Sequence, residues 1–216
     1  MKKKGVGAAL VLAGLIWAGG ASAQQPAPVS VLAGNCVGCH GIDGVSRGPA
    51  SPTIAGLSKP YFVSAMLAYK YGNDRAKIEA AARTLKIDPD DLSAFERPAT
   101  VMDRMATGYS DEEIGILADY FAGKTWVPAL QAYDARLAAR GQQVHDDACE
   151  KCHENGGRKG DEGEGVLAGQ WMPYLNYTFA DYNEGHRGMP KKMRARMKEL
   201  DAADFEALLH FYASQK

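Results

Sequence analysis

Cys36-Val37-Gly38-Cys39-His40 and Cys149-Glu150-Lys151-Cys152-His153 write the same pattern, C-x-x-C-H, twice in a chain of 216 residues that holds no other cysteine. Helix geometry gives the spacing its meaning, because positions i, i+3 and i+4 share one face. Two thiols on that face can reach the two vinyl groups of one porphyrin while the histidine ring meets the iron. This is the sequence signature of c-type haem attachment. A redox-active C-x-x-C or a structural zinc site would use the same cysteines, and an exported chain could pair them as disulfides. None of these requires a histidine directly after the second cysteine in both copies. The pattern therefore predicts two covalent haem c groups, one on Cys36 and Cys39 and one on Cys149 and Cys152. His40 and His153 become axial iron ligands.

The repeat extends beyond the motif. Shifting the chain by 113 residues lays "IAGLSKPY" (Ile54 to Tyr61) on "LAGQWMPY" (Leu167 to Tyr174), Tyr69 on Tyr182 and Gly72 on Gly185. The shift then becomes 91, laying Met102 on Met193 and "LADYFA" (Leu117 to Ala122) on "LLHFYA" (Leu208 to Ala213). The difference is an insertion in the first half, within Asn73 to Ala99. Self-similarity of this kind signals a tandem duplication. We expect two all-α domains, 24–128 and 129–216, joined by a linker at "GKTWVPA" (Gly123 to Ala129). A domain of about 90 residues is marginal for a hydrophobic core, and a buried porphyrin supplies a large apolar centre.

The elements read as helices. Ser110 to Glu113, "SDEE", is a capping box, followed by an apolar stripe of Ile114, Leu117, Tyr120 and Phe121. Asp201 caps the second copy, with Phe205, Leu208, Leu209 and Tyr212 behind it. Pro60 and Pro173 suit helix starts. Loops rich in glycine and proline or charge, "GIDGVSRGPASP" and "ENGGRKGDEGEG", follow the two motifs, and the Asp161 to Glu164 run reads as a solvated loop. The insertion holds one helix, "DRAKIEAAARTLK", and a second helix start at "DPDDLSAF" capped by Asp88. It reads as a polar excursion into solvent.

The chain opens Met1-Lys2-Lys3-Lys4, continues with a short apolar run and reaches "ASA", the form of a secretory signal cut after Ala23. The run is short for a bilayer span, which needs about 20 apolar residues. With the three signal lysines gone, the 25 basic residues fall to 22 against 26 acidic ones, a formal charge of −4. That balance argues against nucleic-acid binding. We expect a periplasmic chain with no membrane span after processing.

The sixth iron ligand decides the chemistry, since methionine gives an electron-transfer centre of raised potential. The first half offers Met66, Met102 and Met105, and the second Met172, Met189, Met193 and Met197. Met102 and Met193 each lie eight residues before the cap of the last helix of their half, so they are the expected ligands, with Met189 next. His186 is the alternative for bis-histidine ligation. His145 reads as a surface helix residue and His210 as solvent-facing. Lys191, Lys192, Arg194, Arg196 and Lys198 surround Met193, either as a solvated face or as a docking patch for an acidic partner. No Ser-His-Asp set, P-loop or G-x-G-x-x-G stands out, so no substrate catalysis is expected of this chain alone.

These motifs resemble class I cytochrome c domains, and the doubling resembles dihaem cytochromes of the cytochrome c4 kind. "GYSDEEIGILADYF", "CEKCHENGG", "LAGQWMPYLNYTFADY", "MPKKM" and "FYASQK" are similar to the dihaem cytochrome subunit of flavocytochrome c sulfide dehydrogenase. That resemblance implies a heterodimer with a flavoprotein subunit that carries FAD and oxidises sulfide. The cytochrome would accept the electrons and pass them to a soluble c-type cytochrome. It also implies Cys36, Cys39, His40 and Met102 around the first haem, and Cys149, Cys152, His153 and Met193 around the second. A free-standing carrier of the cytochrome c4 kind is the alternative.

Overall fold

The computed structural model describes residues 26–92, 96–160 and 163–216. The expected signal, Met1 to Ala23, lies outside them, as do Ser93 to Phe95 of the second insertion segment and Asp161 and Glu162. Among the described residues all regular structure is helical, and no helix is long and apolar enough to cross a membrane.

The first half runs α1 (Val29–Gly34), α2 (Val37–His40), α3 (Lys59–Tyr71), α4 (Arg75–Thr84), α5 (Met102–Thr107) and α6 (Asp111–Ala122). The second runs α7 (Ala135–Ala148), α8 (Glu154–Gly157), α9 (Met172–Asn183), α10 (Lys191–Met197) and α11 (Ala202–Ser214). Both capping boxes form: Ser110 accepts from Glu113 N at 3.1 Å and Asp201 from Asp204 N at 2.9 Å, and each acidic partner reaches back to its cap. Pro60 and Pro173 stand in the first turns of α3 and α9, where a missing N–H costs nothing. Ile114, Leu117 and Phe121 of α6 are buried as the stripe required, with Tyr120 at its margin. In α11 the stripe rotates slightly, burying Leu208, Phe211 and Tyr212 and leaving Phe205 and Leu209 half-covered.

The insertion is not a polar excursion. Ile78, Ala81 and Ala82 of α4, with Ile87 and Leu92 beyond it, are buried in the first-half core beside α3 and α6. The reason is amphipathic spacing: Ile78, Ala81 and Ala82 lie at i, i+3 and i+4 and form one apolar face. α6 makes room for it. A Cβ on Gly115 would stand 2.8 Å from Leu85 Cδ2, and the repeat counterpart of Gly115 is the exposed Glu206. The "DPDD" segment forms one 3-10 turn, Pro89–Asp91, capped by Asp88.

The linker is bound rather than free. Ala129 N donates to Gly169 O at 2.7 Å, Trp126 Nε1 to Ala168 O at 3.1 Å and Gln131 Nε2 to Gln170 O at 2.8 Å. The halves also meet directly. Thr53 N donates to Gln170 Oε1 at 3.0 Å, Gln170 Nε2 returns a bond to Thr53 O at 3.1 Å, and Trp171 Nε1 reaches Ser46 O. Trp171 lies against Gly48, where a Cβ would meet its ring.

Candidate haem sites

Each pentapeptide makes the single turn that its spacing predicts. His40 N donates to Cys36 O at 2.8 Å and His153 N to Cys149 O at 2.9 Å. The first turn is helical as α2, whereas the second closes α7 without a helix of its own. No two of the four cysteines are joined as a disulfide, so all four sulfurs would be available for thioether bonds.

His40 is buried beneath its turn, and His153 is half-buried with its Nδ1 sealed from solvent. His40 Nδ1 lies 2.8 Å from Pro52 O. A carbonyl only accepts, so Nδ1 carries the proton and Nε2 is left to bind a metal. Burial pushes His40 below its ordinary range, outweighing the Pro52 bond. Burial does the same to His153, and the nearby His145 adds to it, bringing it down to about 4. Both rings are therefore neutral near pH 7, the form in which imidazole ligates iron. His153 Nδ1 is buried without a hydrogen-bond partner among the described residues.

One continuous cavity of about 2160 Å³ is lined by Cys36, Cys39 and His40 in the first half and by Cys149, Cys152 and His153 in the second. Met66, Met102 and Met105 also line it, as do Met189, Met193 and Met197, while Met172 does not. Met102 opens α5 and Met193 sits in α10, the repeat-related places. His186 is outside the lining; it is exposed and its Nδ1 faces Glu184 at 3.2 Å.

Two further histidines depart from expectation. His145 is 0% exposed rather than on the surface. Its ring lies between Tyr212 OH at 3.0 Å and Glu150 Oε2 at 2.6 Å. His210 is half-buried and its Nδ1 accepts from Asp134 N at 2.9 Å, helping to start α7.

Where the halves meet, the cavity is walled by a cluster that sequence reasoning missed. Arg97 Nη2 and Arg187 Nη2 both donate to Tyr61 OH, at 3.2 and 3.4 Å, and Arg187 Nη1 reaches Thr178 Oγ1 at 3.3 Å. Arg97 packs over the Tyr61 and Tyr69 rings, and Arg187 over Tyr182. Burial alone would raise the Tyr61 phenol, but the two guanidinium charges overcome it and draw it down to about 7. Neither arginine forms an ion pair among the described residues, and Arg97 Nε and Nη1 and Arg187 Nε are buried without a partner. Buried cations left in this condition are costly. Each haem carries two carboxylates, the groups these orphaned donors would satisfy. Tyr69 and Tyr182 were already matched by the repeat. The arginines escaped because they stand five and six residues before Met102 and Met193, one position out of register.

The neutral rings, paired thiols, thioethers and unpartnered guanidiniums fit a haem in each half. At the second mouth, Lys191, Lys192, Arg194, Arg196 and Lys198 are exposed, and among the described residues only Arg196 of these is in an ion pair, with Glu199 at 3.2 Å. The corresponding α5 carries one acid and one base, Asp103 and Arg104.

Comparison with known proteins agrees with this geometry. The family model for cytochrome c matches residues 29–123, and that for cytochrome C oxidase, cbb3-type, subunit III, matches 136–211. Cytochrome c4 of Azotobacter vinelandii is 27% identical over 211 residues, covering 92% of this chain and 91% of that protein. The cytochrome subunit of sulfide dehydrogenase from Chlorobaculum tepidum is 34% identical over 91 residues, 42% of this chain and 61% of that one. The crystal structure of reduced recombinant cytochrome c4 from Pseudomonas stutzeri superposes with a TM-score of 0.68 at 23% identity, covering 87% of this chain and 97% of that one.

Proposed function

From a chain that is two fused cytochrome c domains, a dihaem electron carrier of the cytochrome c4 kind, we propose an electron-accepting subunit for a FAD-containing, sulfide-oxidising flavoprotein. It would receive electrons from that partner and deliver them to a soluble c-type cytochrome, in the periplasm after removal of residues 1–23. Each haem, when bound, supplies a one-electron iron centre. The chain's residues do the rest. Cys36 and Cys39, and Cys149 and Cys152, would anchor the two groups. His40 and Met102, and His153 and Met193, would hold the irons in a saturated state that resists small ligands. Arg97, Arg187 and Tyr61 would seat the carboxylate edges at the domain junction.

The observation that carries the relay is the single cavity lined by both motifs and meeting at that junction. The sulfide partner is supported by the likeness to the Chlorobaculum tepidum subunit and by the quoted motif stretches. The alternative, a free-standing carrier, is supported by the likeness to cytochrome c4 along 92% of the chain. An absorption spectrum of the natively purified protein, before and after sulfide, separates the two. Co-purifying flavin and haem reduction by sulfide are expected of the subunit. Haem bands alone, unresponsive to sulfide even after reconstitution with the flavoprotein, would leave the free carrier.

A further inference from the structure

The two repeats differ at three positions that touch one another. Glu150, His145 and Tyr212 stand where the first half has Val37, Leu32 and Phe121. In the second half they form a chain: Glu150 Oε2 to His145 Nε2 at 2.6 Å, and His145 Nδ1 to Tyr212 OH at 3.0 Å. Tyr212 in turn contacts the Cys149 sulfur, the expected haem attachment atom. The inner members are sealed, with His145 at 0% and Tyr212 at 1% exposure. The outer end is wet and held by backbone, Glu150 accepting from Asn155 N at 3.0 Å and Gly156 N at 3.2 Å.

The first half also brings a phenol to its cysteine, from another place. Tyr109, whose repeat counterpart is Leu200, contacts Cys36. It donates to Leu32 O at 3.0 Å and accepts from Asn35 Nδ2 at 3.2 Å. That chain is neutral throughout, whereas the second ends on a carboxylate.

Donor and acceptor rules orient the second chain. A carboxylate only accepts, so His145 Nε2 carries the proton and, in the neutral ring, Nδ1 accepts from Tyr212 O–H. The phenol oxygen then turns its lone pairs toward Cys149. A negative charge and an oriented dipole chain beside a haem disfavour the extra electron of its reduced state.

We propose that Glu150, His145 and Tyr212 are positioning residues that lower the electron affinity of the second haem below what the apolar trio of the first half would give. The repeat prescribes the variants. In the full-length dihaem protein, Glu150→Val should raise the second haem's potential, shifting the electron-exchange constant between the haems about tenfold toward it, or about 59 mV for one electron. Tyr212→Phe should shift it in the same direction by a smaller factor, with the first haem unmoved in both. Spectroelectrochemical titration reads these shifts, and the pyridine haemochrome assay counts haems, so a missing second haem would be recognised as failure of the attachment reading instead. A second readout on the unaltered protein does not depend on how the variants fold: the ¹⁵N shifts of His145 should report a proton on Nε2 and an accepting Nδ1. An unchanged separation of potentials in both variants, an equal shift of both haems, or an Nδ1–H form of His145 would overturn the proposal.

Discussion

Among the described residues the first domain places nineteen side chains in its buried cluster, which Val166 of the second domain joins, and α4 with the segment after it contributes five of them; the second domain's own cluster holds five, Leu175, Phe179, Leu208, Phe211 and Tyr212. The second compensates with a longer helix pair. α7 has 14 residues where α1 has six, and it crosses α11 so closely that a Cβ on Gly141 would collide with the Ala207 carbonyl. Two copies of one ancestral pattern have thus reached stability differently, one by adding apolar chain and one by close backbone contact. The second, with the thinner protein core, leans harder on its porphyrin.

The largest expected effect follows from that. Replacing Cys149 and Cys152 with serine should unfold the second domain, while replacing Cys36 and Cys39 should leave the first partly folded. Limited proteolysis and far-ultraviolet circular dichroism of the two variants compare them, and equal losses would break the contrast. Next, Ile78→Ala should cost the first domain about 2–5 kcal/mol, the range for a truncated buried aliphatic. Denaturant unfolding measures it, and a cost near zero would restore the insertion to a solvated excursion.

Gly141→Ala should destabilise the second domain by about 1–3 kcal/mol, because a methyl group at the α7–α11 crossing must push the backbones apart. Calorimetry should show its transition falling alone. Reversing Lys191, Lys192 and Arg194 to glutamate should slow electron transfer with an acidic partner and flatten its dependence on ionic strength. The same changes at Lys77 and Arg83, on α4, should do little. Stopped-flow rates across a salt series decide whether α10 docks a partner or is a solvated face.

Much of this molecule was legible in one dimension. C-x-x-C-H, the capping boxes at Ser110 and Asp201 and the prolines at helix starts are local devices, whose physics is complete within four or five residues. The duplication was visible because both halves keep those devices in order. What the tertiary structure decided was nonlocal. His145 reads as a surface residue until α11 brings Tyr212 across it. The insertion reads as polar because its apolar face, Ile78, Ala81 and Ala82, is short and set among charges, and Gly115 reveals its purpose only when Leu85 fills the space above it. Arg97 and Arg187 are 90 residues apart and look like ordinary surface cations. They become a pair only where two domains meet and exclude water, because the cost of burying a charge depends on everything around it and not on its neighbours in sequence.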